Sequence, residues 1–571
     1  MSYIVRRKVG SKIYLEERES YRQNGKVKAR FLRYLGPEGD TLRKPIKPRH
    51  IFDQINPSFS SREGDVSLLW KLAKDLQIPQ TIDRFCPHKS APDRPSPGVL
   101  LTVWAINRVL YPESATQLEK WVPTTDIPRL TGILPDAFTK DTFLASLDKI
   151  CGEDPDAGVI VDRSDQLDAE IYLLWREANP LPKGEREILA YDLTSVLFFG
   201  VTCPISEFGY NALGISDQLQ VNLALLVSRY DKIPVAHAVY EGSRHGAATV
   251  KNILARLSRT HHEHGTLIWD RGMVSADHIH AVEDMGWKLI CGLPKTTTAV
   301  IEVLNKTEVP WEPETLVRIT KTTKIYAVLT EAKIYGKDRR LVVYQNMARA
   351  QKERDGRNEA LAKIAERFEV LEGKWQKWTE ARIHHTVKEV VGRWGRYIKV
   401  RVSRNQNRRR VIWEYRRQSL REAERTDGKW ILLVTDPAVS AAEAVELYLE
   451  KDFIEKGFRT MKTEEEMEPV RHRLERRVRA YEFVQVLALR LRAALRWRMK
   501  EVAKTEGMNA WEATDDLLQA LGRVERVEVS LGKQQRIWHL NLLKGTKDIL
   551  EDIGYGELFG EKVSSALERS V

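Results

Sequence analysis

The chain has 571 residues and a net charge of +12 at pH 7; 42% of its residues are hydrophobic and 30% are charged. This length exceeds a single hydrophobic core, so we predict three to five structural units, and the basic balance favours a polyanionic partner. No apolar run approaches the roughly 20 residues of a membrane span, and no secretory signal follows Met1, so we expect neither a membrane nor a secreted protein. The four cysteines are isolated along the chain and lack metal-type spacing.

The N-terminal part divides into two regions of different periodicity. Apolar and charged side chains alternate along residues 1–60, and breaks at 10–11 and 24–25 predict a three-stranded antiparallel meander with cationic strands. Residues 61–185 follow a helical period with a proline-rich break at 92–97. We therefore predict a β-rich module followed by a helical region.

Short apolar strands replace the helical pattern from residue 186 onward. Residues 188–200 form a predicted strand that carries Asp192 among apolar neighbours, and residues 265–270 form a short strand that ends in Asp270. The other predicted elements are strands at 221–228, 233–240 and 287–292 and a helix at about 247–258. This order of three strands, helix, strand, helix, strand is typical of an RNase H-like fold, so we predict that residues 186–300 form the first part of an α/β core.

A long segment separates this region from the next one with core character. Between Asp270 and Glu455 lie 184 residues, which is too many for an ordinary connection. Strand-like runs and one long charged helix predict an independent, mostly β insertion at 301–425. Residues 426–505 then return to the sheet and complete the core, and we expect residues 506–571 to serve in oligomerisation or DNA contact.

Four polar side chains share one face of the helix predicted after Ser440, which is a suitable N-cap. Tyr448, Lys451, Glu455 and Lys462 are separated by 3, 4 and 7 residues. At about 3.6 residues per turn, these offsets return to nearly the same side of a helix. One carboxylate, two ammonium groups and a phenol on one face are suitable for binding phosphate, but a solvated helix face has the same pattern. The two acids on the predicted strands are needed to decide between these interpretations.

Asp192, Asp270 and Glu455 together predict a metal site. Hydrolysis or transesterification of a phosphodiester needs an activated oxygen nucleophile and a stabilised leaving oxyanion, and two Mg²⁺ ions about 3.5–4 Å apart provide both. Hard cations prefer carboxylate oxygens. We therefore predict that these three acids are catalytic and hold two Mg²⁺ ions, for which Mn²⁺ is expected to substitute.

The segment from Tyr448 to Lys462 resembles the Tyr-x2-Arg-x3-Glu-x6-Lys signature of cut-and-paste insertion-sequence transposases, which are DDE enzymes with an RNase H-like core. Lys451 stands where that signature has Arg, which keeps the charge but not the bidentate geometry. The resemblance spans about residues 188–500. It also covers the long segment before Glu455, which corresponds to the family's β-rich insertion.

This resemblance implies a function and partners. The chain would be a DNA transposase that binds the terminal inverted repeats of an insertion sequence, cleaves DNA and transfers the new 3′ end to target DNA. The matching site residues are Asp192, Asp270 and Glu455 as metal ligands, with Tyr448, Lys451 and Lys462 on phosphates. Double-stranded DNA would be the partner, contacted also by the helical region 61–185 and bound by at least a homodimer. The expected location is the cytoplasm, at the nucleoid of a bacterium or archaeon.

A basic segment outside the motif adds candidate DNA contacts. Arg and Lys residues between 382 and 425 alternate with Trp and Tyr, which suits phosphate contact together with stacking. Arg408, Arg409 and Arg410 are the densest run of this segment. A second basic run at 471–479 follows the motif, and we expect it to contact DNA as well.

Two single residues have alternative interpretations. Arg271 follows Asp270 directly, and it either neutralises a phosphate near the metals or pairs with a local acid. Trp311 lies in a turn with proline on both sides. It either stacks on a base, as aromatic residues in the family's insertions do, or forms a buried anchor.

Other acids and a histidine cluster compete with these assignments. Asp452 is the nearest rival, since it lies close to Glu455 on a helical wheel, but only Glu455 satisfies all three spacings of the motif. The other nearby acids are Asp217, Asp436 and Glu450. The cluster of His261, His262 and His264 has no partners at zinc spacing, which favours a solvated segment.

Two other functions share part of this pattern. An RNase H-like nuclease or junction resolvase has the same fold but does not need the long insertion. A domesticated transposase that only binds DNA has no need of the acids, yet all three are present. The sequence therefore favours an active DDE transposase, which is a metal-dependent DNA endonuclease and strand transferase.

Overall fold

The computed structural model describes residues 2–38, 55–89, 91–153, 159–199, 202–211, 214–215, 217–260, 264–405, 408–531 and 534–559. Two compact units are distinguished in this part of the chain. The first combines residues up to Ser61 with Glu525–Asn541, and the second comprises Arg62–Val524 and the residues from Leu542 onward. None of the described helices has the length and apolar character that a membrane crossing needs.

The first unit is built from antiparallel strands. The predicted meander is confirmed, because β1 (Ser2–Val9), β2 (Lys12–Gln23) and β3 (Lys26–Pro37) pair in this order. Asn24 and Gly25 have φ values of 52° and 74°, which is the backbone of a tight two-residue hairpin turn. β4 (Ile55–Arg62) belongs to a second three-stranded sheet, whose other strands come from the C-terminal part of the chain.

The predicted helical region is confirmed at the start of the second unit. Its elements are α1 (Gly64–Asp75), α2 (Ile78–Phe85), α3 (Pro97–Leu110), α4 (Ala115–Trp121), α5 (Ile127–Thr131), α6 (Lys140–Ile150), the short hairpin β5 (Cys151–Glu153) and β6 (Ile160–Asp162), and α7 (Ser164–Ala178). Ser96 ends the proline-rich break and caps α3, because its hydroxyl accepts a hydrogen bond from the Val99 amide. All four cysteines of the chain are buried and free.

A nine-stranded mixed sheet forms the centre of the second unit. Its first elements follow the predicted order: β7 (Glu187–Leu197), β8 (Gln220–Ser228), β9 (Pro234–Glu241), α8 (Val250–Leu257), β10 (Gly265–Trp269), α9 (Ala276–Asp284) and β11 (Lys288–Gly292). β7, β8 and β9 pair antiparallel, whereas β10 is parallel to both β7 and β11. β8, β9 and β10 are almost fully buried, which explains their continuous apolar sequences.

The segment after β11 differs from the predicted insertion. Its elements are α10 (Thr298–Lys306), β12 (Leu316–Ile319), β13 (Lys324–Ile334), β14 (Lys337–Asn346), α11 (Met347–Trp375), α12 (Glu380–Val391), β15 (Ile398–Asn405), β16 (Arg408–Tyr415) and α13 (Arg417–Thr426). β17 (Lys429–Val434) pairs with β11 on one side and β14 on the other, so β12, β13 and β14 extend the central sheet.

The expectation of an independent, mostly β insertion is therefore wrong. Backbone groups at the edge of β17 would lack partners without β14, and pairing with it continues the sheet. α11 alone has 29 residues, and its buried positions follow a helical period. They pack with α12 and the β15–β16 hairpin into a hydrophobic cluster around Phe368 and Trp375.

Three helices of the second unit follow β17. They are α14 (Ala441–Glu450), α15 (Asp452–Thr463) and α16 (Glu475–Arg498). Ser440 caps α14 as predicted, since its hydroxyl accepts a hydrogen bond of 3.1 Å from the Glu443 amide. α16 is buried on nearly all sides and packs on α3, α6 and β9.

The C-terminal part of the chain contributes to both units. Its elements are α17 (Lys500–Thr505), α18 (Ala510–Leu521), β18 (Glu525–Leu531), β19 (Gln534–Leu540) and α19 (Lys544–Asp552). β18 pairs with β19 and with β4, so these two strands complete the second sheet of the first unit. The N-terminal module is thus not formed by residues 1–60 alone, because strands far away in the sequence close its sheet.

Candidate active site

Asp192 and Asp270 lie side by side on adjacent parallel strands. Tyr191 of β7 is in register with Trp269 of β10, so the two aspartates occupy the next position along each strand. Asp192 lies within β7, opposite Leu225 of β8, and Asp270 is the first residue after β10. Parallel pairing therefore brings together two acids that the sequence separates widely.

The motif helix is broken at Lys451, so the prediction of one continuous helix is wrong. α14 ends at Glu450 and α15 begins at Asp452, while Lys451 has a ψ of only −12°. The Ile454 amide donates to the Lys451 carbonyl at 2.9 Å, which is the i+3 spacing of a tightened turn. This turn separates Tyr448 at the end of the first helix from Glu455 in the first turn of the second.

The two halves of the motif meet at Asp270. The Tyr448 hydroxyl donates a hydrogen bond of 2.8 Å to Asp270 Oδ1, and Lys451 Nζ lies 3.2 Å from the same oxygen. Lys451 Nζ also lies 3.7 Å from Glu455 Oε1. The Lys451 side chain is 11% exposed, whereas those of Asp270 and Glu455 are 44% and 55% exposed. A shielded ammonium thus joins two carboxylates that face solvent, and its predicted contact with a DNA phosphate stays a prediction.

The electrostatics tie Asp192 to the same cluster. Burial raises the pKa of the Asp192 carboxyl to about 6, against the opposing effects of Lys451 and the Leu193 amide. The negative charges of Asp270 and Glu455 raise this pKa further. Burial alone would lower the pKa of Lys451, but Asp270 and Asp192 outweigh it and hold the pKa above its ordinary value. All three predicted acids therefore act on one another through a single ammonium.

This donor set suits a hard divalent cation. Carboxylate oxygens are the ligands that Mg²⁺ prefers, and Glu455 lies at a helix N-terminus, which stabilises negative charge. Within the described ranges, no group of three acidic, histidine or cysteine side chains is close enough to hold a metal ion in the present arrangement. The Lys451 ammonium lies between Asp270 and Glu455, so a cation that binds both must displace it.

Lys462 does not join this cluster. Its ammonium donates to the Ser195 carbonyl of β7 and forms an ion pair of 2.9 Å with Glu468. Glu468 in turn accepts a hydrogen bond from the Leu197 amide. Lys462 therefore attaches the end of α15 to β7, three residues beyond Asp192, and its predicted phosphate contact is not tested.

The competing acids have other partners or locations. Glu450 forms an ion pair of 2.6 Å with Arg229, and Asp452 forms one of 2.9 Å with Lys456. Asp436 accepts a hydrogen bond from the Ala438 amide. Asp217 is exposed in the segment before β8. Of the acids on α14 and α15, Glu455 is the one that shares Lys451 with Asp270.

Arg271, which follows Asp270, shares one indole ring with a second cation. The Arg271 guanidinium lies 5.1 Å from the centre of the Trp430 ring, and Lys295 Nζ lies 4.4 Å from it. Both alternatives predicted for Arg271 stay predictions, because this contact involves neither a phosphate nor an acid. Lys295 is half-buried, and this burial lowers the pKa of its ammonium. The local sequence carries no signal for Lys295 or Trp430, because Trp430 reaches Arg271 only through the pairing of β17 with β11.

Gly292 is a second residue that the sequence analysis missed. It is the last residue of β11, and a β-carbon there would stand 2.6 Å from the Tyr448 hydroxyl oxygen. A larger side chain therefore fits only if the Tyr448 hydroxyl shifts. The only signal in the sequence is a glycine at the end of a predicted strand, which is also common in turns.

The remaining predicted DNA contacts are Trp311 and the arginines of β16. Trp311 is 61% exposed, and its indole donates a hydrogen bond of 3.1 Å to Gln345, so it is not a buried anchor. In β16, Arg410 is exposed and Arg409 donates to the Trp378 carbonyl. The Arg408 side chain lies outside the described residues, as do His261 and His262, whereas His264 is exposed.

Most of the second basic run has a structural role. Arg476 and Arg477 bind Asp148 of α6 at 3.0 Å and 2.7 Å. Arg479 donates to the Val239 carbonyl of β9 at 2.6 Å. These guanidiniums hold α16 in place, and the expected contact of the run with DNA stays a prediction.

Comparison with solved structures found similar chains, among them a piggyBac transposase in a synaptic complex with hairpin DNA, determined by cryo-EM. That match has a TM-score of 0.35 and 10% sequence identity, and it covers 80% of this chain and 79% of the other. No protein-family model and no curated protein matches this chain.

Proposed function

We propose that the protein is a metal-dependent DNA transposase of the DDE type, with Asp192, Asp270 and Glu455 as its metal ligands. The observation that carries this proposal is the coupling of three acids from β7, the end of β10 and α15 through one ammonium. Clustered carboxylates repel one another and require a positive partner. A divalent cation bound among these carboxylates would supply that charge in a form that activates oxygen nucleophiles.

The central sheet supports an RNase H-like core. β9, β8 and β7 are neighbours with antiparallel pairing, and β10 and β11 continue from β7 with parallel pairing. This pattern agrees with the strand and helix order that the sequence predicts. Asp192 then lies on β7, the middle one of these five strands. Asp270 follows β10, the parallel neighbour of β7, and Glu455 lies on the helix α15 near both.

The chain's own residues would hold and orient the reacting groups. Asp192, Asp270 and Glu455 would hold two Mg²⁺ ions, which when bound activate the attacking oxygen and stabilise the leaving oxyanion of a phosphodiester. Tyr448 fixes the orientation of the Asp270 carboxylate through its hydrogen bond. Lys451 neutralises Asp270 and Glu455 until a cation takes its place.

The proposed substrate is double-stranded DNA, as transposon end and as target. One site would hydrolyse the strand at the transposon end and then direct the new 3′-hydroxyl to a target phosphodiester. Arg271, which follows Asp270, and Lys295 share the Trp430 ring and would receive phosphates of the bound strand. Because two ends are joined to one target, we propose at least a homodimer in the DNA complex.

A strand-transfer assay tests this proposal. DNA flanking the gene supplies candidate inverted repeats, from which a pre-cleaved duplex with a free 3′-hydroxyl is prepared. In Mg²⁺ the wild-type protein is expected to join this duplex to a target plasmid. Asp192→Asn and Glu455→Gln are expected to reduce joining by about 100-fold or more, because each removes a ligand charge, while duplex binding stays intact.

Asp452→Asn is the matched control, since Asp452 is an acid of the same helix that pairs with Lys456 instead of Lys451. This variant is expected to join DNA at the wild-type rate. Full activity of Asp192→Asn would exclude the three-acid site. Cleavage without joining by the wild-type protein would favour a nuclease, and binding without either reaction would favour a DNA-binding protein only.

A further inference from the structure

The N-terminal sheet presents cationic and aromatic side chains to solvent. Residues 2–38 contain ten Lys or Arg residues and four Glu residues, a net charge of +6. Nearly every position of β1 and β3 is exposed. A sheet normally buries one face against another layer. Exposed apolar groups on a sheet this basic therefore indicate a binding surface.

The strand register assigns these side chains to two faces. Residues directly opposite each other share a face, and successive residues alternate. Tyr3 and Phe31 lie opposite Arg18, Tyr34 lies opposite Glu16, and Val27 lies opposite Arg22. These pairs define one face, called the aromatic face here, which also carries Tyr14 and Lys12. Tyr3, Phe31 and Tyr34 are 43%, 55% and 53% exposed.

The aromatic face carries cations without acidic partners. Arg7 and Arg18 share the Glu16 carboxylate at 3.2 Å and 2.9 Å, so this group keeps one positive charge. Lys12 and Arg22 have no ion pair with any other described residue. On the opposite face, Glu19 and Glu17 neutralise Arg30 and Arg33 at 2.6 Å each. Lys8, Lys26 and Lys28 of the opposite face also have no ion pair with a described residue, so the aromatic face is distinguished by its three exposed rings, against Tyr21 alone on the opposite face.

We infer that the aromatic face of the N-terminal sheet is a second DNA-binding surface, separate from the catalytic acids. Lys12 and Arg22 contact backbone phosphates, and the rings of Phe31 and Tyr34 pack against sugars and base edges. Sheets and ribbons of two or three strands bind DNA in this manner. The choice of DNA among polyanions rests on the proposed function.

A second copy of the chain is a poorer occupant of this face. A two-fold contact would place the same patch on both sides, so Lys12 and Arg22 would approach their own counterparts. Like charges at such an interface oppose association. A polyanion has the complementary charge and gains from displacing its counterions.

Binding of the full-length protein to a fluorescent 30-base-pair duplex of unrelated sequence tests the inference. Anisotropy is measured in EDTA over a series of salt concentrations, so no catalysis is involved. Lys12→Gln with Arg22→Gln is expected to reduce the slope of log K against log salt by about 2, since each cation neutralises one phosphate. Phe31→Ser with Tyr34→Ser is expected to weaken binding about tenfold and leave the slope unchanged.

The matched control is Lys26→Gln with Lys28→Gln, which removes the same charge from the opposite face of the same sheet. Its slope is expected to stay within about 0.5 of the wild-type value. An equal loss of slope in this control would overturn the assignment to the aromatic face. Thermal unfolding of each variant shows that the fold is intact.

The outcomes separate this inference from the proposed function. Wild-type DNA binding that both test variants leave unchanged would overturn the inference alone. Failure of strand transfer with DNA binding intact would overturn the proposed function alone. If Phe31→Ser with Tyr34→Ser abolished a dimer in light scattering but kept DNA affinity, the face would belong to a second copy and the inference would be wrong.

Discussion

The hydroxyl group of Tyr448 lies directly against the backbone of Gly292. A β-carbon at Gly292 would stand 2.6 Å from the hydroxyl oxygen and 3.3 Å from Cζ of the ring. Because Gly292 has no side chain, the phenol comes close enough to donate its hydrogen bond of 2.8 Å to Asp270. A glycine at the end of β11 therefore controls the position of a carboxylate that follows the neighbouring strand.

Gly292→Ala is expected to reduce strand joining by about tenfold or more. The new methyl group would displace the Tyr448 hydroxyl, and a hydrogen bond to a charged group contributes roughly 1.5–3 kcal/mol. The joining rate of the pre-cleaved duplex measures this effect. Tyr448→Phe removes the oxygen that the methyl group meets, so the double variant is expected to join at the rate of Tyr448→Phe alone.

Gly457→Ala is the control for a glycine substitution near the site. Gly457 lies on α15, and a β-carbon there would meet Leu489 Cδ2 at 3.5 Å, which is ordinary van der Waals contact. This variant is expected to keep wild-type activity. If Gly292→Ala joined DNA as fast as the wild-type protein, the close approach of Tyr448 would have no role in positioning Asp270.

Lys451→Met is expected to enlarge the stabilisation that Mg²⁺ gives to the fold. In the wild-type protein the Lys451 ammonium neutralises Asp270 and Glu455. Mg²⁺ must replace these two ion pairs, so its net binding free energy, and with it the stabilisation of the fold, is reduced. Without the ammonium, the acids repel one another in the metal-free protein. Thermal unfolding with and without millimolar Mg²⁺ is expected to show a rise in Tm larger than that of the wild-type protein by about 3 °C.

The control for this experiment is Lys456→Met on the same helix. Lys456 pairs with Asp452 and is 53% exposed, so its removal leaves the three acids unchanged. Its Mg²⁺-dependent rise in Tm is expected to equal that of the wild-type protein. An equal rise in Lys451→Met would show that the ammonium and the cation do not compete.

The sequence predicts those parts of the fold that local patterns specify. The buried strands β7 and β10 have continuous apolar sequences, so the acids within and after them stand out from their neighbours in the chain. Ser440 indicates the start of α14 because a hydroxyl at that position satisfies a free backbone amide. The spacing of Tyr448, Lys451 and Glu455 likewise depends only on helical geometry.

Contacts between distant segments account for what the sequence does not predict. Nothing between Leu449 and Asp452 is a helix breaker, yet the helix tightens at Lys451, whose side chain binds Asp270. The approach of Gly292 to Tyr448 likewise depends on how α14 packs on the sheet. The pairing of β4 with β18 is also a contact between distant segments, and the local sequence of neither strand indicates its partner.

Glu482→Gln is expected to stabilise the protein at alkaline pH and to leave its stability unchanged near pH 4. Glu482 lies fully buried in α16, and burial raises the pKa of its carboxyl from 4.5 to about 8. Between these values the unfolded chain releases the proton and the folded chain retains it, so stability falls as the pH rises. Glutamine does not ionise, so the stability of the variant does not fall in this way as the pH rises.

Urea unfolding at pH 4, 7 and 9 measures this effect. The free energy of unfolding of Glu482→Gln is expected to exceed that of the wild-type protein by about 2 kcal/mol or more at pH 9. Glu501→Gln on α17 is the control, because Glu501 is exposed to solvent. A difference between Glu482→Gln and wild type that does not change with pH would contradict the assignment of a retained proton.

Asp427→Ala is expected to destabilise the second unit by about 3 kcal/mol, because it leaves a buried guanidinium without its partner. Arg357 of α11 donates two hydrogen bonds of 2.7 Å and 2.6 Å to Asp427, and both side chains are at most 6% exposed. Arg357→Met with Asp427→Ala is expected to cost less than the sum of the single variants, since no unpaired charge remains. Urea unfolding followed by tryptophan fluorescence measures these free energies.

Lys363→Ala breaks an exposed pair with Glu359 on the same helix and is expected to leave stability unchanged. If Asp427→Ala matched that control, the pair would not hold α11 to the loop before β17.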